Sequence, residues 1–259
     1  MTGQPLDSLP FWAIYLLTVL VLLAAMEAGY RFTKANQRKR TAEGETGIGT
    51  MVSATLPLLG FLLAFMVGFS ANLSTERRYL VIKEANAIGT AYLRAGYLDE
   101  PYRTESQDLL REYVDMRLAY LDPDKRVDAF LRSEEIHNEL WRRAEQVARE
   151  SPLDTTSLYI RSVNEVIDVH AERIIHGIEI RIPSTVLLGL FIVGMFSVFL
   201  VGMQSGYAEK RNYLALIVMV MILSVVFFLI IDLDRSQEGL MRVSQRALFD
   251  LQRHLNAAP

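Results

Sequence analysis

The chain has no cysteine among its 259 residues, which excludes disulfides, thiolate metal sites and a thiol nucleophile. Proline and glycine are sparse, at 8 and 15 positions, so breaks are few and the elements between them must be long. Long stretches also lack charge. Residues 11–26, 184–203 and 213–231 contain no Asp, Glu, Lys or Arg, although charged residues make up 22% of the whole. Charge excluded from some segments and concentrated in others belongs to a membrane protein, not to a soluble domain. The sequence also lacks Gly-x-Gly-x-x-Gly, Walker A, His-Glu-x-x-His and Gly-x-Ser-x-Gly runs, so nothing points to a bound nucleotide, a hydrolytic metal or a serine nucleophile. A net charge of only −3 gives no basic footprint for nucleic acid. The chain reads as no enzyme, with no cofactor and no resident metal.

What is present is apolar sequence in lengths that cross a bilayer, for which about 20 helical residues are needed. Spans are expected at about 11–30, 51–71, 183–203 and 213–231. The first has no Lys or Arg before it and no small-residue cleavage site after it, so it is read as a retained span and not a signal peptide. Residues 1–71 thus hold two spans joined by a basic loop, 31–49, and 183–231 hold two more. Between them, residues 72–182 form a polar insert with helical periodicity, divided at Pro101, Pro123 and Pro152. Helices are expected there at about 73–98, 102–121, 124–150 and 153–182, the last running through Pro183 into the third span with a kink. Residues 41–50 read as a flexible loop. The tail, 232–259, is amphipathic through Leu240, Val243, Ala247, Leu248, Leu251 and Leu255 and should pack on the insert. The fold class is all-α: a four-span bundle whose helices extend into one helical aqueous domain.

The second span carries two stripes. Gly60, Ala64 and Gly68 recur every four residues, a small-xxx-small pattern that allows close helix approach. Phe61, Phe65 and Phe69 recur one position on, about 100° around the helix. A helix in a ring around a pore would pack its small flank on the next subunit and turn the bulky column to the axis. An apolar constriction of that kind gates by dewetting. The same periodicity also suits an ordinary packed or lipid-facing helix.

Leu58-Leu59-Gly60-Phe61, Ala64, Gly68-Phe69, Asn72 and Glu76-Arg77 resemble the second span of the bestrophin ion channels. Ser70 and Ala71 stand where polar or basic residues are usual there, and Arg78-Tyr79 replace a tryptophan pair. The runs Glu84–Leu98, Leu109–Leu118 and Asp232–Gln252 resemble the bacterial bestrophin-like domain family over nearly the whole chain. The resemblance implies a ring-shaped homo-oligomer, a pentamer, in a bacterial plasma membrane, with inorganic ions as permeant partners. It places the pore neck on Phe61, Phe65 and Phe69, and Asn72 and Glu76 fall at the mouth. It also implies both termini and the insert in the cytoplasm. The charge rule says otherwise: Arg31, Lys34, Arg38, Lys39 and Arg40 in the first loop, against no Lys or Arg in residues 1–10, put that loop inside and the N-terminus outside.

On the helix expected at 153–182, Glu165, Asp168, Glu172, His176 and Glu179 fall within roughly 80°. Either they form a solvated face or they line an aqueous vestibule, where repeated carboxylates would concentrate cations. Ile160, Val163, Ile167, Ala171, Ile174 and Ile178 are expected on the buried side. The histidines are His137, His170, His176 and His254. His170 and His176 are about 120° apart on a helix, a poor ligand pair. Glu27 is expected at a headgroup with Tyr30 and Arg31. Glu84 should pair with Arg161 or Arg173 of the insert. The function expected is an ion channel of unresolved ion sign. The rival is a non-conducting membrane protein whose insert docks a partner or senses a signal.

Overall fold

The computed structural model describes residues 9–36, 42–208, 211–235, 239 and 241–257, without the side chains of residues 42, 43, 178 and 179. Its elements are α1 (Phe11–Ala35), α2 (Ala42–Ala95), α3 (Tyr102–Ala119), α4 (Arg126–Glu150), α5 (Asp154–Ile174), a π-helical turn (Ile175–Glu179), α6 (Ser184–Tyr207), α7 (Tyr213–Asp234) and α8 (Arg246–Ala257). No strand occurs among the described residues. Among the described residues, four helices are long and apolar enough to cross a membrane: α1, α2, α6 and α7. The chain divides into two compact units, one of residues 1–74 and 181–242, the other of 75–180 and 243–259.

In the first unit, α1, α6 and α7 meet through Leu22, Met26, Val198 and Val220. A second cluster joins Leu59, Leu63 and Met66 of α2 to Leu190, Phe227 and Ile230. Hydrocarbon tails are as apolar as these side chains, so the bundle must be held by close fit and not by escape from water. The fit is closest where α1 crosses α6. A Cβ on Gly29 would overlap the Phe199 carbonyl, and one on Gly202 the Met26 carbonyl. A Cβ on Gly206 would lie 2.7 Å from that of Thr33. Gly202 and Gly206 form a G-x-x-x-G pair, the short-range signal for such a crossing. The span-two stripe is not the one used inside the subunit. Glu27 accepts from Arg31, its expected neighbour, at 2.8 Å and also from Arg211 at 2.6 Å, and the Arg211 guanidinium lies 4.1 Å from the Tyr30 ring centroid.

The second unit is built on the hydrophobic effect. On α4, Ala129, Ser133, Ile136, His137, Leu140, Ala144 and Val147 are buried, the i, i+3, i+4, i+7 stripe of one helix face. Of these, Ile136, Leu140, Ala144 and Val147 pack with Ile88 and Ala91 of α2, Leu110 and Tyr113 of α3, and Val163 and Val166 of α5, with Leu248 and Leu255 of α8 in the same cluster. Burying each Leu or Ile is worth about 1.5–3 kcal/mol. Most of the tail is therefore placed as expected, although Leu240 lies outside the described residues.

Three expectations are corrected. Residues 42–50 are helical and open α2, because nothing from Ala42 to Met51 breaks a helix more strongly than an isolated glycine. No continuous helix joins α5 to α6. After the π turn Ile180 is extended at φ −82°, ψ 92°, and Pro183 disfavours helical backbone at Ile182 directly before it, so the helix does not resume until Ser184. The freed backbone groups find charged partners: Arg77 donates to the carbonyls of His176 at 3.0 Å and Ile180 at 2.9 Å. The Ile182 amide donates to Asp234 at 2.8 Å, and Arg181 binds the other oxygen of that carboxylate. Finally, the buried face of α5 runs through Thr156, Tyr159, Ser162, Val163, Val166, Val169 and His170. Val163 is buried as expected; Ile160, Ile167 and Ile174 are half-buried, the first two packed against the core, and Ala171 is exposed. Small polar residues share the packed side, so the true face is rotated part of a turn from one drawn through the isoleucines. The side chain of Ile178 lies outside the described residues.

Candidate functional site

In the membrane part of α2, one face is used and the other is open. Leu59, Leu63, Met66 and Ser70 are buried in the bundle, and the Ser70 hydroxyl donates to the Met66 carbonyl at 2.8 Å. Phe61, Phe65 and Phe69 are 68%, 64% and 43% exposed, far more than a packed phenylalanine. Gly60, Ala64 and Gly68 are exposed beside them, and a Cβ on Gly60 or Gly68 would meet nothing within 4 Å among the described residues. Both stripes named from the sequence are thus uncovered in a single subunit. Asn72 and Glu76, further along α2, are also exposed.

The acidic column on α5 is only partly free. Glu165 and Asp168 are exposed, Asp168 accepting from Asn164 at 2.6 Å. Glu172 is neutralised by Lys83 at 2.7 Å, and that hydrogen bond holds the Lys83 ammonium above its ordinary pKa. His176, in the π turn, hydrogen-bonds through Nδ1 to the Glu172 carbonyl at 3.0 Å. The Glu179 side chain lies outside the described residues. Lys83, Arg94, Arg161 and Glu165 border an open groove of about 380 Å³.

A buried polar cluster, which sequence reasoning recognised only in part, occupies the core of the second unit. Glu84 of α2 is fully buried. It pairs with Arg173 of α5, as expected, and with Arg117 of α3 at 2.9 Å. Arg161, the other expected partner, borders the groove instead. Burial alone would raise the Glu84 pKa; the charges of Arg117 and Arg173 overcome it and hold the carboxyl below its ordinary value. Tyr113 Oη lies 2.9 Å from Glu84 Oε1 and 2.8 Å from His170 Nδ1, and its burial raises the phenol well above 10. His170 Nε2 lies 3.0 Å from Glu134 Oε1. His137, beside them, has its ring centroid 4.6 Å from that of His170. Burial, assisted by His170, lowers the His137 pKa to about 3. The histidine that meets His170 is His137. The signal was available: Glu134 and His137 share a face of α4, and His170 comes opposite them once α4 and α5 fold back at residues 151–153.

Among curated proteins, none matches this sequence significantly. The fold is that of a crystallised bacterial bestrophin homologue from Klebsiella pneumoniae, with a TM-score of 0.63 at 15% identity over 95% of this chain and 97% of that one. A point variant of a Klebsiella homologue gives a TM-score of 0.62 at 15% identity over 95% and 97%. A crystallised membrane protein variant gives 0.62 at 16% identity, also over 95% and 97%. The bestrophin-like domain model matches residues 13–248. The chain therefore belongs to the bestrophin-like domain family.

Proposed function

We propose that the protein is a homo-oligomeric ion channel whose neck is formed by the second span. The observation that carries this reading is the open face of α2. A glycine stripe with free space and a phenylalanine column lie side by side, uncovered, on a helix whose opposite face is packed. Copies of the chain set around an axis would place Gly60, Ala64 and Gly68 against the next subunit and Phe61, Phe65 and Phe69 toward the centre. A ring of phenyl groups excludes water until it widens, which suits a gate. Asn72 and Glu76 would form the mouth of that neck, and exposed Glu165 and Asp168, with Glu172, His176 and Glu179, the wall of a vestibule. A pentamer in the bacterial plasma membrane is the assembly the family resemblance favours.

Ion flux from proteoliposomes tests this, with wild type compared to a variant carrying Phe61→Ala, Phe65→Ala and Phe69→Ala together. Widening the neck is expected to raise K⁺ or Cl⁻ flux several-fold, even if the wild type is closed. Absence of flux in both, from protein shown to be folded and oligomeric, would transfer the role to docking or sensing by the helical insert.

A further inference from the structure

The contacts around Tyr113 do not balance in protons. Three short polar gaps lie in series: Glu84 Oε1 to Tyr113 Oη at 2.9 Å, Tyr113 Oη to His170 Nδ1 at 2.8 Å, and His170 Nε2 to Glu134 Oε1 at 3.0 Å. A phenol and a neutral imidazole bring two protons to these three gaps, and the carboxylates bring none. With Tyr113 donating to Glu84 and His170 Nδ1–H donating to Tyr113, the bare Nε2 lone pair faces a carboxylate oxygen. Moving the protons only moves the mismatch to another gap. One more positive centre is required, either a third proton or a metal ion.

His137 separates the two. Its Nε2 is buried and has no hydrogen-bond partner among the described residues, on a residue only 5% exposed. A proton shared by His170 and Glu134 leaves that nitrogen stranded, at the cost of an unsatisfied buried polar group. A cation between His170 and Glu134 gives an imidazole at this position a ligand to hold. One donor atom from each of Glu134, His137 and His170 lies within 4.8 Å of the others. A tetrahedral site with bonds of about 2.0–2.1 Å needs donors about 3.4 Å apart, so the 3.0 Å pair must open slightly and His137 close in. The Glu134 side chain is 48% exposed, which gives it freedom to adjust and gives an ion a way in.

We propose that Glu134, His137 and His170 form a binding site for a zinc-class divalent ion, with a water molecule as fourth ligand. Glu134 and His137 stand three residues apart on α4 and His170 faces them from α5, so the ion would clamp that helical hairpin. Two imidazoles and one carboxylate favour zinc and its transition-metal neighbours over calcium or magnesium, which prefer oxygen ligands. Tyr113 is a positioning residue. By accepting from His170 Nδ1 it directs the Nε2 lone pair to the metal, and Glu84 anchors the phenol in turn. The nearby guanidinium groups of Arg117 and Arg173 are both engaged by Glu84, which limits their repulsion of the ion.

The site is independent of whether the protein conducts. The full-length protein, purified in detergent and stripped with EDTA, is titrated with ZnCl₂ while bound metal and the thermal midpoint are followed. One equivalent per chain is expected, with a rise in midpoint as ion binds the folded state. Glu134→Gln, on a half-exposed side chain, and His137→Ala are each expected to weaken binding at least about a hundredfold and abolish the rise. Tyr113→Phe is expected to weaken it about 10- to 100-fold. If His137→Ala does not fold, Glu134→Gln decides. Failure of the wild type to bind zinc stoichiometrically overturns the site, as does equal binding by wild type and Glu134→Gln. The third positive centre is then a proton.

Discussion

Replacing Glu84 by glutamine removes one negative charge from between two buried positive ones. The side chain is fully buried, while those of Arg117 and Arg173 are 5% and 14% exposed. Water cannot take over the lost pairing. Breaking a buried ion pair by deleting one partner costs roughly 3–5 kcal/mol. Glutamine keeps a carbonyl oxygen for Tyr113 and nearly the same volume, so the lower figure, about 3 kcal/mol, applies to Glu84→Gln; alanine adds a cavity and moves toward the upper one. A loss of about 3 kcal/mol is more than a hundredfold in an equilibrium constant. Native-state hydrogen exchange reads it locally, at the amides of Leu110, Ile136 and Val163, which lie in the same hydrophobic core as Tyr113. The pH dependence follows from the same pairing. The folded-state pKa of Glu84 lies below its ordinary value of 4.5, so its stabilisation is complete above that pH and is lost as pH falls below it. Wild type should approach the stability of Glu84→Gln on acidification from pH 5 downward. A change of less than about 1 kcal/mol at neutral pH, or a gap that does not narrow in acid, would refute the charge pairing as the source of stability.

Other outcomes can be set beside this one. Gly202→Ala forces a methyl group onto the Met26 carbonyl, which is main chain and cannot swing aside, and should lower the thermal midpoint of the subunit by an amount equivalent to about 3 kcal/mol or more. Gly60→Ala, with open space around it, should leave the subunit intact while weakening assembly, read by chemical cross-linking or size-exclusion light scattering. An unchanged oligomer in Gly60→Leu would remove that stripe from the interface. Arg77→Met should speed exchange at residues 175–180, whose carbonyls at His176 and Ile180 it binds; a difference below tenfold would mean that the turn is held elsewhere. The cysteine-free chain also allows orientation to be read directly. Glu45→Cys, at an exposed position, should be protected from a membrane-impermeant thiol reagent added outside intact cells if the charge rule holds, and labelled if it does not.

The spans were legible because membrane helices announce themselves by what they leave out, and Phe11, Tyr213 and Pro183 sit within one residue of real helix boundaries. The insert's three prolines likewise marked real breaks. Two things were hidden. One is the rotation of α5, where Ser162 and Thr156 are buried: small hydroxyls look polar in a sequence but pack well once their oxygens find a carbonyl, as Ser162 finds that of Tyr159 at 2.7 Å. The other is everything that depends on two segments meeting. Glu84 was recognised as a residue in need of an arginine, and Arg173 supplied one. That Arg117 joins, and that Tyr113 links Glu84 to the histidines, depends on the register of α3 against α2 and α5, which periodicity alone does not give. The open face of α2 illustrates the converse. Its two stripes were plain in the sequence, and a single subunit leaves them both without a neighbour.

The contact between α1 and α6 also bears on how this protein can change over generations. At Gly29 and Gly202 the two main chains touch where a side chain would otherwise stand. Every other amino acid is larger than glycine, so neither position has a conservative replacement and no gradual route leads away from it. Elsewhere in the bundle a leucine can drift to methionine or isoleucine with small adjustments. Here a lineage either keeps both glycines or must re-seat a whole helix in one step, so these two positions should vary least even where the residues around them have turned over completely.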